Sequence, residues 1–118
     1  MDPQKAIMAF SQSEKIKAGI IWLSHALELL GSLPATETPG GQKIITALID
    51  MVFLEIQLAK NVAGDEQWEI AEKSIDQATV MINSGVGPEA IIHLTQALSQ
   101  VTSVGQRSMS YLKEQGLL

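Results

Sequence analysis

KIITALIDMVFLEIQLAKNVA, residues Lys43–Ala63, is the most apolar stretch of the chain, and 14 of its 21 residues are Ala, Val, Ile, Leu, Met or Phe. At about 100° of turn per residue, the main apolar side of a helix here is formed by Ile44, Leu48, Val52, Ala59 and Val62. Together with the apolar residues beside it, this side covers an arc much wider than the apolar stripe of an ordinary surface helix. The run is too long for a strand and lacks the alternation that a half-buried strand requires. We therefore predict that it forms the central helix of a helical bundle, with neighbours on at least two sides.

One acidic residue, Glu55, falls inside the apolar arc of this predicted helix. Burying a lone carboxylate costs several kcal/mol, so such a group shifts its pKa, finds a partner or reaches water. We expect Glu55 to be a partly buried polar residue at the border of the helix, paired with a lysine. The alternative interpretation is a metal or proton site.

Composition indicates one globular domain over residues 1–118. The chain is 46% hydrophobic and 18% charged, which suits a single core and excludes a disordered protein. Its net charge is −5 and Arg107 is its one arginine, so we expect no nucleic-acid partner. The chain contains no cysteine, which excludes thiol catalysis, disulfides and cysteine-based zinc sites.

Charged residues within the most apolar stretch argue against a membrane-spanning helix. Asp50, Glu55 and Lys60 interrupt the most apolar stretch, whereas a membrane span needs about 18 uninterrupted apolar residues. The first residues lack the apolar core of a signal peptide. We expect a cytoplasmic protein without a membrane partner.

Capping and helix-breaking residues divide the chain into four predicted helices, at roughly residues 3–31, 39–63, 66–84 and 88–115. Asp2 and Pro3 form one start signal, and Ser11 with Glu14 forms a second, so a short extra N-terminal helix is possible. Tight connections between the later helices make them antiparallel neighbours. The predicted fold class is all-α, an antiparallel up-down-up-down four-helix bundle.

The pairing of the last two helices makes a specific packing prediction. If they form a hairpin about Val86, Trp68 lies opposite Val104 and Gly105. Large and small residues alternate across a packed core, so we predict that Gly105 provides room for the Trp68 ring. A kink or a close approach to a ligand are the competing uses of a glycine within a helix.

Carboxylates and histidines occur at metal-ligand spacing on two predicted helices. His25 precedes Glu28 by three residues, and His93 follows Glu89 by four. The Glu-x-x-His order of di-iron bundles does not occur, and both histidines lie outside the apolar seams. The acidic residues of the third helix, by contrast, indicate a solvated face. We find no nucleophile elbow and no phosphate-binding loop, so we expect no metal, no cofactor and no enzymatic activity.

A second apolar stripe on the first helix is the most informative feature for function. It lies roughly opposite the Ile16–Leu30 seam and consists of Ala18, Ile21, Trp22, His25 and Leu29. A lone bundle buries one stripe per helix, so this stripe would remain exposed. Exposed apolar patches mark interaction sites, and tryptophan is favoured at binding hot spots.

The fourth helix shows a related signal, because residues 90–106 carry no formal charge. Uncharged, small and amide-rich faces suit contacts between helices better than open water. We interpret its outer side as a second interface, formed by His93, Ala97, Gln100, Val104 and Tyr111.

These features favour a protein that acts by association rather than by catalysis. The expected partner is a second copy, giving a homodimer, or another helical protein, for which this chain would be an adaptor. The alternative is a ligand-binding or regulatory bundle with an apolar internal cavity near Glu55 and Gly105.

Overall fold

The computed structural model describes residues 2–118, and α-helices dominate this part of the chain. Helix α1 spans Pro3–Gly31, α2 spans Thr38–Val62, α3 spans Glu66–Asn83 and α4 spans Ala90–Glu114. A single 3-10 turn, Gly87–Glu89, leads into α4. These bounds lie within about two residues of those predicted, because capping residues act locally.

The helices form a ring in which each helix contacts the next along the chain and α4 contacts α1. Within residues 2–118, the Cα atoms of the diagonal pairs, α1 with α3 and α2 with α4, do not come within 8 Å of each other. The bundle is elongated, at 55 × 20 × 18 Å. The predicted antiparallel four-helix bundle is therefore confirmed.

No separate N-terminal helix is present in the described chain, because α1 continues without a break through Ser11. The first start signal is the one used: the Asp2 side chain accepts a hydrogen bond of 2.9 Å from the Lys5 backbone N–H. The Ser13 hydroxyl donates to the Phe10 carbonyl, 2.8 Å away, which is compatible with an uninterrupted helix.

Inward-facing residues of the four helices make one apolar core. Trp68 is fully buried within it, as predicted. Helix α2 contributes a seam at alternating four- and three-residue spacing, formed by Ile45, Ile49, Val52, Ile56 and Ala59.

The expectation that this helix is central is wrong. In a ring of four helices, each helix has two adjacent neighbours and one outward side, and α2 contacts only α1 and α3 within the described chain. Its remaining apolar residues therefore stay at the surface. Ile44 and Met51 are 65% and 61% exposed.

Gly105 makes room for a different residue from the one predicted. A Cβ atom added there would lie 2.6 Å from the Ser13 Oγ and 3.3 Å from the Ser13 Cβ, and no atom of Trp68 would lie within 4 Å of it. The glycine therefore permits the close approach of α4 to α1 at Ser13. The predicted pairing of Gly105 with the Trp68 ring is wrong, because the glycine faces α1 and not α3.

Two ion pairs tie α3 to its neighbours. The Lys60 ammonium on α2 lies 2.7 Å from the Glu72 carboxylate, and the Arg107 guanidinium on α4 lies 3.0 Å from Asp65, the N-cap residue of α3. The hydrogen bond to Glu72 raises the pKa of Lys60.

Within residues 2–118, no helix combines the length and the apolar character that a membrane span requires.

Candidate functional site

A groove with a volume of about 430 Å³ lies between α1 and α2. Buried Ile16, Leu23 and Val52 line its inner part, while the more exposed Trp22 and Met51 line its outer edges. The lining is almost entirely apolar. The most exposed large aromatic side chain therefore lies at the edge of an apolar groove between these helices.

An exposed apolar stripe on α2 continues the groove along the surface. It consists of Ile44, Leu48, Met51, Leu54 and Leu58, which are 37–66% exposed. At about 100° per residue, these residues fall within an arc of about 120°. Because Leu48 and Met51 also line the groove, the stripe lies on the side of α2 that borders the outer side of α1.

Helix α1 supplies the other half of this surface. Trp22 is 73% exposed and Leu29 is 63% exposed, while Ala18 is half-buried in the groove. Ile21 and His25 are exposed, as the sequence predicted, but they do not line the groove. We define the α1–α2 face as Ala18, Trp22, Leu29, Ile44, Leu48, Met51, Leu54 and Leu58.

An ion pair closes one end of the groove. The Lys15 ammonium lies 2.9 Å from Glu55 Oε1, and the Gln12 amide donates to Glu55 Oε2 at 3.2 Å. The hydrogen bond from Lys15, supported by that from Gln12, lowers the pKa of Glu55 and outweighs the opposing effect of partial burial. The predicted lysine partner is confirmed. A carboxyl group held ionised in this way is unsuited to donate a proton as a general acid at neutral pH.

The predicted interface on α4 requires a correction. Ala97 and Val104 are buried, at 0% and 1% exposure, and belong to the core. His93, Gln100 and Tyr111 are half-buried.

The reason is that part of the side of α4 that we expected to face outward belongs to its buried seam. Ala97 and Val104 face inward, and Leu98 packs at the edge of the core. The small uncharged residues therefore serve contacts with α1 and α3, and they do not form an external surface.

Ionisable residues elsewhere in the described chain form no site comparable with the groove. Among residues 2–118, no group of three or more histidine and carboxylate side chains is arranged to hold a metal ion. Three buried polar atoms, Gln67 Oε1, Trp68 Nε1 and His93 Nδ1, have no hydrogen-bonding partner within those residues.

The α2 half of the face was not predicted from the sequence, because Ile44 and Leu48 were assigned to the main apolar side of the helix, which was expected to be buried. A usable signal was present. The spacing from Ile45 through Ile56 to Ala59 is the more regular seam, and choosing it turns Ile44 and Leu48 outward.

Comparisons of the chain with known protein families, with curated proteins and with solved structures found no match.

Proposed function

We propose that this protein acts by associating with another protein through the α1–α2 face, and that it is not an enzyme. The observation that carries the proposal is the position of Trp22, which is 73% exposed at the edge of an apolar groove. Isolated exposed apolar residues are ordinary, but a large aromatic beside a groove and a continuous stripe is typical of an interaction surface.

The area of the face supports a stable contact. Taking roughly 150 to 250 Å² for each fully exposed large side chain, the residues other than Ala18 present about 600 to 1,000 Å² at their stated exposures. The largest apolar patch on a typical monomer covers about 300–600 Å². Each partner in a standard interface buries about 800 Å². Complete burial of the α1–α2 face would therefore suffice for specific association.

The shape of the face suits a helical partner. Two neighbouring helices leave a groove that accepts the side-chain ridge of a third helix. The stripe on α2 is itself such a ridge, so a second copy of the chain has the shape and apolar character that the groove requires. Self-association is therefore the form of association that we favour over an adaptor role with another helical protein. The sequence-based expectation of a cytoplasmic protein that binds neither nucleic acid nor membrane belongs to this proposal.

A second candidate is the binding of a small apolar ligand. The volume of the groove, about 430 Å³, falls within the range of about 300–1,000 Å³ that is usual for ligand sites. The groove is open along the surface, and it includes Glu55 but not Gly105, so it differs from the internal cavity that the sequence suggested. A ligand that prefers the folded state raises the melting temperature, and the rise continues with the logarithm of the ligand concentration above its Kd. Titration with medium-chain fatty acids and alkanols during thermal unfolding tests this function.

Sedimentation velocity across a range of protein concentrations tests the association. We expect a monomer–dimer equilibrium, and we expect Trp22→Ala to weaken dimer formation at least tenfold, the effect of losing a hot-spot residue. Ile92→Ala is the matched control, because Ile92 is 64% exposed but lies on α4, outside the face. A protein that remains monomeric at high micromolar concentrations, or one whose dimer is equally sensitive to both substitutions, would contradict the proposal.

A further inference from the structure

We infer that the partner is a second copy of the chain, and that its α2 packs antiparallel on α2 about a two-fold axis at Met51. This inference rests on the proposed function and adds the register of the contact. Its evidence is the order of the exposed residues on α2, the alignment of α1 with α2, and the positions of small residues opposite large ones.

The exposed residues of α2 are spaced symmetrically about Met51 along the helix. Leu48 and Leu54 lie three residues before and after Met51, and Ile44 and Leu58 lie seven residues before and after it. A two-fold contact requires that residue i contacts residue j while j contacts i. An antiparallel pair centred on Met51 meets this requirement, because Ile44 then lies opposite Leu58 of the second copy, and Leu48 lies opposite its Leu54.

Contacts within one chain set the position of α1 relative to this axis. A Cβ atom added at Gly19 would lie 3.4 Å from Val52 Cγ2, and Lys15 pairs with Glu55. These pairs place residue 20 of α1 level with Met51. If the two-fold axis lies in the plane of the face and is perpendicular to the helices, α1 of one copy packs on α1 of the other. In the same arrangement, α2 packs on α2.

The same axis brings a large residue of α1 onto a small one. With its centre at residue 20, Trp22 lies opposite Ala18 of the second copy, and Trp22 of the second copy lies opposite Ala18 of the first. Trp22 is 73% exposed, and Ala18 is a half-buried residue of the groove. An exposed indole ring facing a methyl group in a depression satisfies the requirement for alternating large and small residues in a packed interface.

Charges do not oppose this register on α2. Glu55 lies opposite Ala47 of the second copy, a small uncharged residue, so the pair with Lys15 is preserved. An axis running along the helices would instead place α2 over α1 of the second copy. Leu54 and Leu58 would then lie over the region of α1 that contains Ser11, Glu14 and Lys15, which are exposed polar residues. The antiparallel register is therefore the better match for the complete stripe.

Cysteine cross-linking tests the register directly, because the chain contains no cysteine of its own. A disulfide requires Cα atoms about 4.4–6.8 Å apart. We expect Met51→Cys to form a disulfide-linked dimer under mild oxidation. We also expect a mixture of Ile44→Cys chains and 15N-labelled Leu58→Cys chains to form the mixed dimer, which the isotope label distinguishes by mass from both homodimers.

The controls are the same variants oxidised alone. In the antiparallel register, the two copies of residue 44 lie 14 positions apart along the helix, or about 20 Å at a rise of 1.5 Å per residue. Ile44→Cys alone and Leu58→Cys alone should therefore cross-link at least tenfold less than the mixture. Ile92→Cys, at an exposed site on α4, measures cross-linking by random collision.

A second measurement avoids oxidation. In the proposed register, Leu48→Lys combined with Leu54→Glu in one chain forms two opposite-charge contacts, whereas Leu48→Glu combined with Leu54→Glu forms two like-charge contacts. We expect the second double variant to dimerise at least tenfold more weakly than the first, with a difference that shrinks in high salt.

The outcomes separate this inference from the proposed function. If the protein dimerises but Ile44→Cys cross-links with itself, or the mixture gives no excess over the separate variants, the register is overturned and the association stands. If sedimentation shows only monomer, the proposed function fails. Efficient cross-linking of Met51→Cys together with the mixed dimer supports both.

Discussion

The Lys15 ammonium on α1 lies 2.9 Å from the Glu55 carboxylate on α2, at one end of the apolar groove. The pair explains how a carboxylate can occupy a position between apolar residues of a helix without full burial. The Glu55 side chain is 29% exposed, so water, Lys15 and Gln12 share the solvation of its charge. The arrangement also holds the pKa of Glu55 below its ordinary value.

Glu55→Gln should reduce the free energy of unfolding at neutral pH by about 0.5 to 1 kcal/mol, the value of a partly exposed ion pair. A lowered carboxyl pKa adds stability that is complete above the unfolded-state pKa and is lost as the pH falls through the lower, folded-state pKa. The difference between wild type and variant should therefore decrease in acid, which denaturant unfolding at several pH values can measure. Glu28→Gln, at an exposed site on α1, is the control. A difference that stays constant down to the lowest pH would contradict the assignment.

Gly105→Ala should destabilise the protein by about 1 to 3 kcal/mol, even though alanine favours helices over glycine by about 1 kcal/mol. The added Cβ would lie 2.6 Å from the Ser13 Oγ and 3.3 Å from the Ser13 Cβ, so either the Ser13 hydroxyl leaves the Phe10 carbonyl or α1 and α4 separate. Chemical denaturation measures the change. Gly40→Ala is the matched control: it also lies in a helix but has open space around the added Cβ, so it should not destabilise.

Ser13→Ala should rescue part of the Gly105→Ala defect, because it removes the oxygen that the new Cβ would meet. Ser13→Ala alone loses the hydrogen bond from Ser13 to the Phe10 carbonyl. We expect a coupling energy of at least about 1 kcal/mol in the double-mutant cycle. Strict additivity of the two substitutions would show that the strain lies elsewhere.

The two tryptophans should report separately on the surface and on the core. Trp22 is 73% exposed and Trp68 is fully buried. In Trp68→Phe, the remaining Trp22 should emit at long wavelength and be quenched readily by acrylamide in dilute protein. Its emission should move to shorter wavelength as concentration rises, because dimer formation covers the ring. In Trp22→Phe, emission from Trp68 should be independent of concentration, and a concentration-dependent shift there would contradict the proposed surface.

Asp65 has two separable roles. Its Oδ1 accepts a hydrogen bond of 2.8 Å from the Gln67 backbone N–H, and its Oδ2 lies 3.0 Å from the Arg107 guanidinium. Asp65→Asn keeps the capping oxygen and should cost under about 1 kcal/mol, whereas Asp65→Ala loses both contacts and should cost about 1 to 2 kcal/mol. Thermal unfolding of both variants measures the difference. Equal destabilisation would indicate that the ion pair, not the cap, determines the contribution of Asp65.

The identity and limits of the helices could be predicted because their signals are local. Asp2 and Asp65 are the N-caps of α1 and α3, and each binds backbone N–H groups of its own first turn. Such contacts span two or three residues and do not depend on how the helices pack. The exposure of Trp22 followed in the same way from the clear seam of α1, which left the tryptophan on the opposite side.

The candidate site was only half predictable. The α1 residues of the face were identified, whereas Ile44 and Leu48 were placed in the main apolar arc, and Ala97 and Val104 were placed outside. On α2, apolar residues are so frequent that two adjacent stripes compete, and local spacing favours the Ile45–Ala59 seam without excluding the other. On α4, alanine and valine fit both a core and a surface, because small residues impose little cost in either place.

The sequence by itself determined the all-helical class, the helix boundaries and the presence of more apolar surface than one bundle can bury. Tertiary structure alone decided which stripe of α2 faces inward, that Gly105 accommodates Ser13 and that Lys15 reaches Glu55. The physical reason is that caps and breaks are contacts within one segment, whereas burial depends on all four helices together. The orientation of one helix is therefore set by the volumes and charges of residues that are distant in the chain.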